Sequence, residues 1–564
     1  MAFLNFISRQ ADPKVEATES GTPDSLPDQT VLTDGSLQFT GASGENTSKP
    51  TYQEASGAPV ESKSPLGYSV GWVTVIFLNL SKMVGTGIFS TPSTILAGAG
   101  SVGLALFYWV IGFIISLCLL AVYLEFAAHF PSRSGSEVVY LEQAYPRPRY
   151  FFPTVFAVQT VILSFSSSNA IVLAQYLYKL GGTTPTAWQQ KGVAVAGYTV
   201  AFLLVVFNTR WSLRAANVIG FIKLITLIFI GITGLVVLGG HTSVKDPTAN
   251  FRDAFNGTSD ATPYGATNAM VKIIFSYAGY ENAFNVVNEV RNPVKTLRWS
   301  APLSLVIVTI LYILANIAYF SAATKTEILE SKVVAASIFF QNVFGGTAAS
   351  KGLNFLICVS AFGNLVAVLI GQSRTIRECG RFALTMLMIL APPAGDAFNF
   401  VVDLSVYPVN FFNFTLATGL LALRWRRKRV GLPSADFCAW DIAIYFTIIA
   451  NLYMLIMPWY PPSTGATGGD VSFWYATYVA TGVGIIVFCS VYYWVWIGLL
   501  PKLGKYKIRQ TYEDLGDGAV THKLVRVRDE DVAQWDDEHD VTGRLVHRHG
   551  RELEVEEEPI TLKK

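Results

Sequence analysis

Lys82-Met83-Val84-Gly85-Thr86-Gly87-Ile88-Phe89-Ser90-Thr91-Pro92 lies inside an apolar run long enough to cross a bilayer, and its composition breaks a helix there. Two glycines bracket Thr86, and Pro92 follows the second by five residues. Each glycine costs a helix about 1 kcal/mol relative to alanine. Unwound backbone at membrane depth persists only where protein or a watery cavity satisfies its polar groups. A helix that restarts after such a break offers free N–H groups and a positive dipole end, which suits a carboxylate. The competing reading of the same glycines is a small-residue packing face between helices.

The flanking chain carries many such runs. At 1.5 Å per residue, about 20 apolar residues span the hydrocarbon core. Runs of this kind recur at about 70–97, 103–128, 153–178, 193–208, 217–239, 264–288, 301–322, 352–373, 382–394, 398–423, 438–457 and 473–500, twelve in all. The ninth holds only 13 residues, about 20 Å of helix, and includes Pro392 and Pro393. The sixth is interrupted at Phe275-Ser276-Tyr277-Ala278-Gly279-Tyr280-Glu281-Asn282. Breaks in spans one and six are the pattern of an inverted-repeat transporter with its site at the repeat interface. Freed carbonyls at one break suit an ammonium, and freed N–H groups at the other suit a carboxylate. That is the polarity of an α-amino acid.

Charge supports the membrane reading. The 564 residues carry 42 Lys+Arg and 40 Asp+Glu, but residues 70–504 hold only 27 basic and 16 acidic side chains. A soluble enzyme of this size carries roughly twice that density, and no basic stripe lies outside apolar surroundings, which argues against a nucleic-acid binder. Residues 1–69 read as a disordered tail rich in Ser, Thr, Gly, Pro and acids, and 505–564 as a charged tail. With the N-terminus inside, the inner loops carry sixteen Lys and Arg and the outer loops seven. Both termini are therefore expected in the cytoplasm. Dropping the short ninth span would put Arg424–Arg429 outside, against this rule. Asn256 of Asn256-Gly257-Thr258 falls in an outer loop, a weak glycosylation signal. The five cysteines lie in spans or inner loops, so no structural disulfide is implied.

Gly85-Thr86-Gly87-Ile88-Phe89 resembles the motif of the amino acid–polyamine–organocation superfamily. Phe275-Ser276-Tyr277-Ala278-Gly279-Tyr280, with Glu289 and Asn292-Pro293 after it, resembles the L-type amino acid transporter branch and, within it, the fungal methionine permeases. The resemblance covers about residues 68–505. It implies an all-α polytopic fold of about twelve helices, a five-plus-five inverted repeat with helices 1 and 6 broken. It also implies that Val84, Gly85, Thr86, Gly87 and Ile88 cradle the substrate carboxylate. Phe275 would be the gate, with Ser276, Ala278 and Gly279 at the ammonium end and Tyr280 nearby. Lys223 matches the family's fifth-span lysine, whose ammonium reaches the first break where sodium sits in sodium-coupled relatives; the competing reading, nine residues past Arg214, is snorkelling toward the inner interface.

Other residues are read from position alone. Lys82 is expected to face the inner vestibule and pair with an acid, in a structural or a transport role, and Glu281 either binds an amine or proton or caps the second half of the sixth helix. Glu125 and Glu289 are expected to pair with arginines, and Asn169 and Asn364 to line the cavity or bond between helices. His547 and His549 lack cysteine partners, so no metal site is expected. Neither a phosphate loop nor a nucleophile–base pattern appears, so the chain reads as no enzyme and needs no cofactor. Lys14, Lys49 and Lys63 are candidate modification sites in the acidic N-terminal tail.

Two departures from the family stand out. Arg377-Glu378-Cys379-Gly380-Arg381 runs directly into Phe382, where relatives carry an inner loop and a full ninth span. The stretch from Gly181 to Gln190 has no cysteine, so a disulfide-linked heavy chain is not expected. The resulting expectation is a plasma-membrane permease, embedded in the lipid bilayer, that imports neutral amino acids, above all methionine, with a proton. A polyamine or cationic carrier should show more acids at the breaks than Glu281, and a non-transporting nutrient receptor would bind without flux.

Overall fold

A computed structural model describes residues 70–373 and 396–539 except positions 134, 164–166, 208, 243, 332, 333, 346, 347, 468, 517 and 518, together with short segments of both tails. The expected ninth span, 382–394, lies outside the described residues.

The first span is three pieces: α1 (Trp72–Met83), α2 (Gly87–Ser90) and α3 (Pro92–Ala99). Pro92 begins α3, where its missing N–H is no loss, and Gly100 ends it in the left-handed conformation at φ +73°. The chain then turns back into α4 (Val102–His129), whose first turn is capped by the Ser101 side chain. A short helix, α5 (Glu137–Ala144), precedes the divided third span, α6 (Phe151–Ile162) and α7 (Ser167–Gly181). The fourth and fifth spans are α8 (Ala187–Phe207) and α9 (Thr209–Leu238).

The sixth starts at α10 (Pro263–Tyr277), capped by Thr262 and led by Pro263, and resumes after its break as a 3-10 stretch, Asn282–Glu289. The remaining spans are α11 (Pro293–Ala322), α12 (Ala348–Ser373), α13 (Ala397–Val430), α14 (Asp441–Ile456) and α15 (Thr477–Tyr493). Nine helices among the described residues are long and apolar enough to cross a membrane; the fourth span and the broken sixth bring the expected spans found to eleven.

Lipid replaces a water-facing polar surface on this molecule. Ile225, Phe229, Ile232 and Leu235 of α9, and Ile442, Ile449 and Ile456 of α14, are exposed apolar side chains on helices that are apolar all round. Inside, α1 packs on α9 and α11, α10 on α4 and α3, and α12 on α7 and α9. Helices α4 and α13 end together at Arg133 and Arg424–Arg429, hereafter the basic end. There Glu125 of α4 accepts from Arg424 Nε at 2.6 Å and from the Ala439 N–H at 2.7 Å, the arginine pairing expected for this acid.

Short segments of the N-terminal tail are among the described residues. Val31–Asp34 (β1), Leu37–Ala42 (β2) and Thr51–Glu54 (β3) form an antiparallel sheet in the order β1-β2-β3. It docks on the basic end: Arg133 donates to Gln53 Oε1 at 2.7 Å, Arg427 to the Tyr52 carbonyl at 2.9 Å, and the Glu54 N–H to Gln143 Oε1 at 2.7 Å. Phe39 and Tyr52 are buried there against Leu432. In the C-terminal tail Tyr506–Gly516 (β4) and Ala519–Arg528 (β5) form a hairpin, fastened by Tyr150 to Gln510 at 2.9 Å.

Candidate functional site

The two breaks meet at the centre of the helix bundle. Helix α1 stops at Met83; Val84 leaves helical geometry at ψ 86°, and Gly87 restarts the helix. Helix α10 stops at Tyr277, Ala278 is extended at ψ 128°, and Gly279 takes φ +129°, a conformation side chains rarely adopt. A Cβ on Gly279 would lie 2.8 Å from the Met83 nitrogen, and one on Gly87 only 2.5 Å from Ser276 Oγ. Glycine is therefore the residue that lets the breaks touch. The packing-face reading and the broken-helix reading are both right at Gly87: it is a close approach located at a break.

Tyr312 of α11 joins the freed ends. Its hydroxyl lies 2.6 Å from the Met83 carbonyl and 3.0 Å from the Ser276 carbonyl, one from each broken helix. No sequence pattern marks this tyrosine, because its role depends on two segments far away in the chain.

Polar residues picked from the sequence are brought together beside the first break. Thr86 Oγ1 donates to Asn169 Oδ1 at 3.0 Å, and Asn364 Nδ2 reaches the same oxygen at 3.5 Å. Asn364 Oδ1 accepts from the Lys223 ammonium, which also lies 3.5 Å from the Ser81 carbonyl. Lys223 and Asn364 are buried. A chain of contacts thus runs from the fifth span through the eighth and third to Thr86. Gly85 belongs to it too, since a Cβ there would strike Asn364 Nδ2 at 2.6 Å.

The other picked residues fall in different surroundings. Val84 and Ile88 are buried at the break, Phe275 is half-buried, and Ala278 is exposed although it lies at the middle of the bundle. Tyr280 turns toward α4, its ring 6.3 Å edge-on from Tyr123. Lys82 pairs with Glu281 at 2.9 Å, and Glu281 also accepts from the Gly279 N–H at 2.8 Å. This pair closes the basic side of the two breaks, yet 42% of the Lys82 side chain is open to water. Asn256 is exposed at the opposite end, beside Gly257, which meets Gly100. Glu289 contributes its carbonyl to Val70 at 3.1 Å. Cys118, Cys358, Cys438 and Cys489 are unpaired among the described residues.

A second ion cluster went unread in the sequence. Lys272 of α10 is fully buried, 2.6 Å from Asp403 of α13 and 3.1 Å from Asp470 in the loop before α15. Both Lys272 and Asp403 interrupt apolar spans, and an ionisable residue at membrane depth is by itself a pointer to function. Their pairing across 131 residues is what the sequence conceals.

Broken helices meeting around a buried polar centre, inside a shell of lipid-facing helices, define a polytopic membrane carrier. The profile of the amino acid permease family matches residues 70–382 and 381–488. The high-affinity methionine permease of Saccharomyces cerevisiae is 36% identical, over 84% of this chain and 86% of its own. The low-affinity methionine permease of the same organism is 27% identical, over 82% and 88%. The b(0,+)-type amino acid transporter 1 of Mus musculus is 27% identical, over 69% and 82%. A crystal structure of the Eremococcus coleocola manganese transporter aligns with 77% of this chain and 96% of its own, at TM-score 0.48 and 15% identity. The chain belongs to the amino acid permease family; it is a transporter and not an enzyme.

Proposed function

We propose that this permease imports neutral amino acids across the plasma membrane, methionine above all, together with a proton. The observation that carries the reading is the meeting of the two breaks at Gly87 and Ser276 in a chain 36% identical to a methionine permease over most of its length. Val84, Gly85, Thr86, Gly87 and Ile88 hold the substrate carboxylate at the restarted helix. The carbonyl end of α10, with Ser276, Ala278 and Gly279, receives the ammonium, and Phe275 gates the site. Lys223 stands where a coupling cation would otherwise be needed, holding the first break through Asn364 and the Ser81 carbonyl.

The basic end is the cytoplasmic one, by the charge asymmetry of the loops. Both tails lie on that side, and Asn256 faces outward. The chain works without a disulfide-linked heavy chain. The family match divides at 381–382, the position where the sequence runs straight from Arg381 into the short ninth span; this supports the reading that a stretch present in relatives is absent here.

Uptake of labelled methionine, leucine and arginine, measured at two external pH values in cells lacking their own permeases, tests the proposal. Saturable methionine uptake that rises with external acidity and vanishes in Gly87→Trp is the expected outcome. Binding without flux at normal surface levels would make the protein a receptor, and arginine preference would make it a cationic carrier.

A further inference from the structure

Lys272 sits one helical turn before Ser276, on the half of the sixth span that faces away from the basic end. Its ammonium contacts Asp403 Oδ1, Asp470 Oδ2 and, at 3.4 Å, the Asn399 carbonyl. Asp470 Oδ1 accepts from the Tyr264 hydroxyl at 3.3 Å, while its buried Oδ2 has no hydrogen-bond donor among the described residues and is held by the ion pair alone. Among the described residues the other titratable groups around the cluster are Tyr264 from α10, Tyr407 from α13, Tyr478 from α15 and, in the loop before α15, Tyr475, whose ring lies 5.8 Å edge-on from that of Tyr264. Two carboxylates share one ammonium, so this dry site carries a formal excess of one negative charge.

The fastenings decide what parts when the cluster opens. Asn399 Nδ2 donates to the Asp470 carbonyl at 3.0 Å, and the Ser472 N–H donates to Asp396 at 2.8 Å. The loop holding Asp470 is thus tied to the start of α13, and the two carboxylates travel together. Lys272 and Tyr264 belong to α10 and leave with it. Two adjacent carboxylates that lose their ammonium hold a proton more tightly than either would alone.

We propose that Lys272, Asp403 and Asp470 form the outer lock of the permease, and that the carboxylate pair binds one proton when Lys272 leaves it. The proton takes the place of the ammonium as α10 swings from α13, and the returning ammonium displaces it. By linkage, external acid favours the outward-open form. The contrast with the other mouth agrees with this assignment: the Lys272 side chain is 0% exposed and that of Lys82 42%. The lock rests on the membrane orientation proposed above.

Outward opening is read by labelling a cysteine placed at Ser276 with a membrane-impermeant thiol reagent on whole cells. An exposed cysteine at Asn256 on the same side normalises thiol reactivity for pH. Labelling at pH 5 is expected to exceed that at pH 7.5 by at least about fivefold. Asp403→Asn and Asp470→Asn should each bring that ratio close to one, and Lys272→Met should label at pH 7.5 as fast as the parent at pH 5. Asp470→Asn keeps the Lys272–Asp403 pair, so it tests the idea even where Asp403→Asn fails to reach the surface. A parental pH response in both Asn variants, or unchanged labelling in Lys272→Met, overturns the lock. Proton inflow during uptake is measured alongside. Labelling as expected without inflow leaves the lock standing and removes proton-driven import; inflow without a labelling response does the reverse.

Discussion

At Gly87 the space available for a side chain is already occupied. Alanine there would bring Cβ within 2.5 Å of Ser276 Oγ and 3.0 Å of its Cα, so the backbone of the sixth span must shift. Gly87→Ala is expected to lower uptake about tenfold or more, a misplacement effect, at unchanged surface level. Adding Ser276→Gly should recover part of the loss, and no recovery would show that the contact does not limit transport. Gly279→Ala combines a φ of +129° with a clash at Met83, about 1–3 kcal/mol of strain that no neighbouring substitution relieves. The buried Lys223–Asn364 contact makes a separate prediction. Asn364→Leu strands an ammonium, whereas Lys223→Met with Asn364→Leu removes it. Detergent-extracted protein should melt lower in the single variant than in the double, because a buried ammonium that loses a hydrogen-bond acceptor costs about 1.5–3 kcal/mol.

Among the elements, the N-terminal sheet is the one the sequence conceals most completely. Its strands are only four to six residues long, and their partners Arg133, Gln143 and Arg427 lie 80 or more residues away. The broken helices are legible because glycine and proline act locally, through the backbone of their own segment. Lys223, Asn169, Asn364 and Lys82 are likewise legible as polar residues in apolar spans, but Tyr312 and the partners of Lys272 depend on which helices become neighbours. The docked sheet also titrates. Burial pushes the Glu54 carboxyl up to about 7, against the opposing pull of Arg426, Arg149 and Arg147. A raised acid pKa means docking is favoured when the group is protonated, so the contact is strongest in acid and weakens as pH rises from about 4.5 toward 7. Protease cleavage within residues 31–54 of open membranes should therefore be slower at pH 5.5 than at 7.5. Glu54→Gln should flatten that difference.

For the whole molecule, the charge asymmetry predicts orientation and the interrupted family match predicts a repairable defect. An epitope tag at either end should be reached by antibody only after cells are permeabilised, while one beside Asn256 should be reached on intact cells. Insertion at Arg381/Phe382 of the corresponding stretch from a relative is expected to raise surface level and melting temperature without changing substrate preference, since the breaks lie in other spans. A changed preference would mean that the ninth span reaches the site.

Tyr312 has a single hydroxyl hydrogen and two carbonyls within reach, Met83 from one broken helix and Ser276 from the other. When either half-helix withdraws, the other inherits the hydrogen, and the exchange leaves the number of bonds unchanged. The middle of the molecule therefore holds a bond that can change partner without being lost. Tyr312→Phe removes this shared donor and takes it from both carbonyls at once.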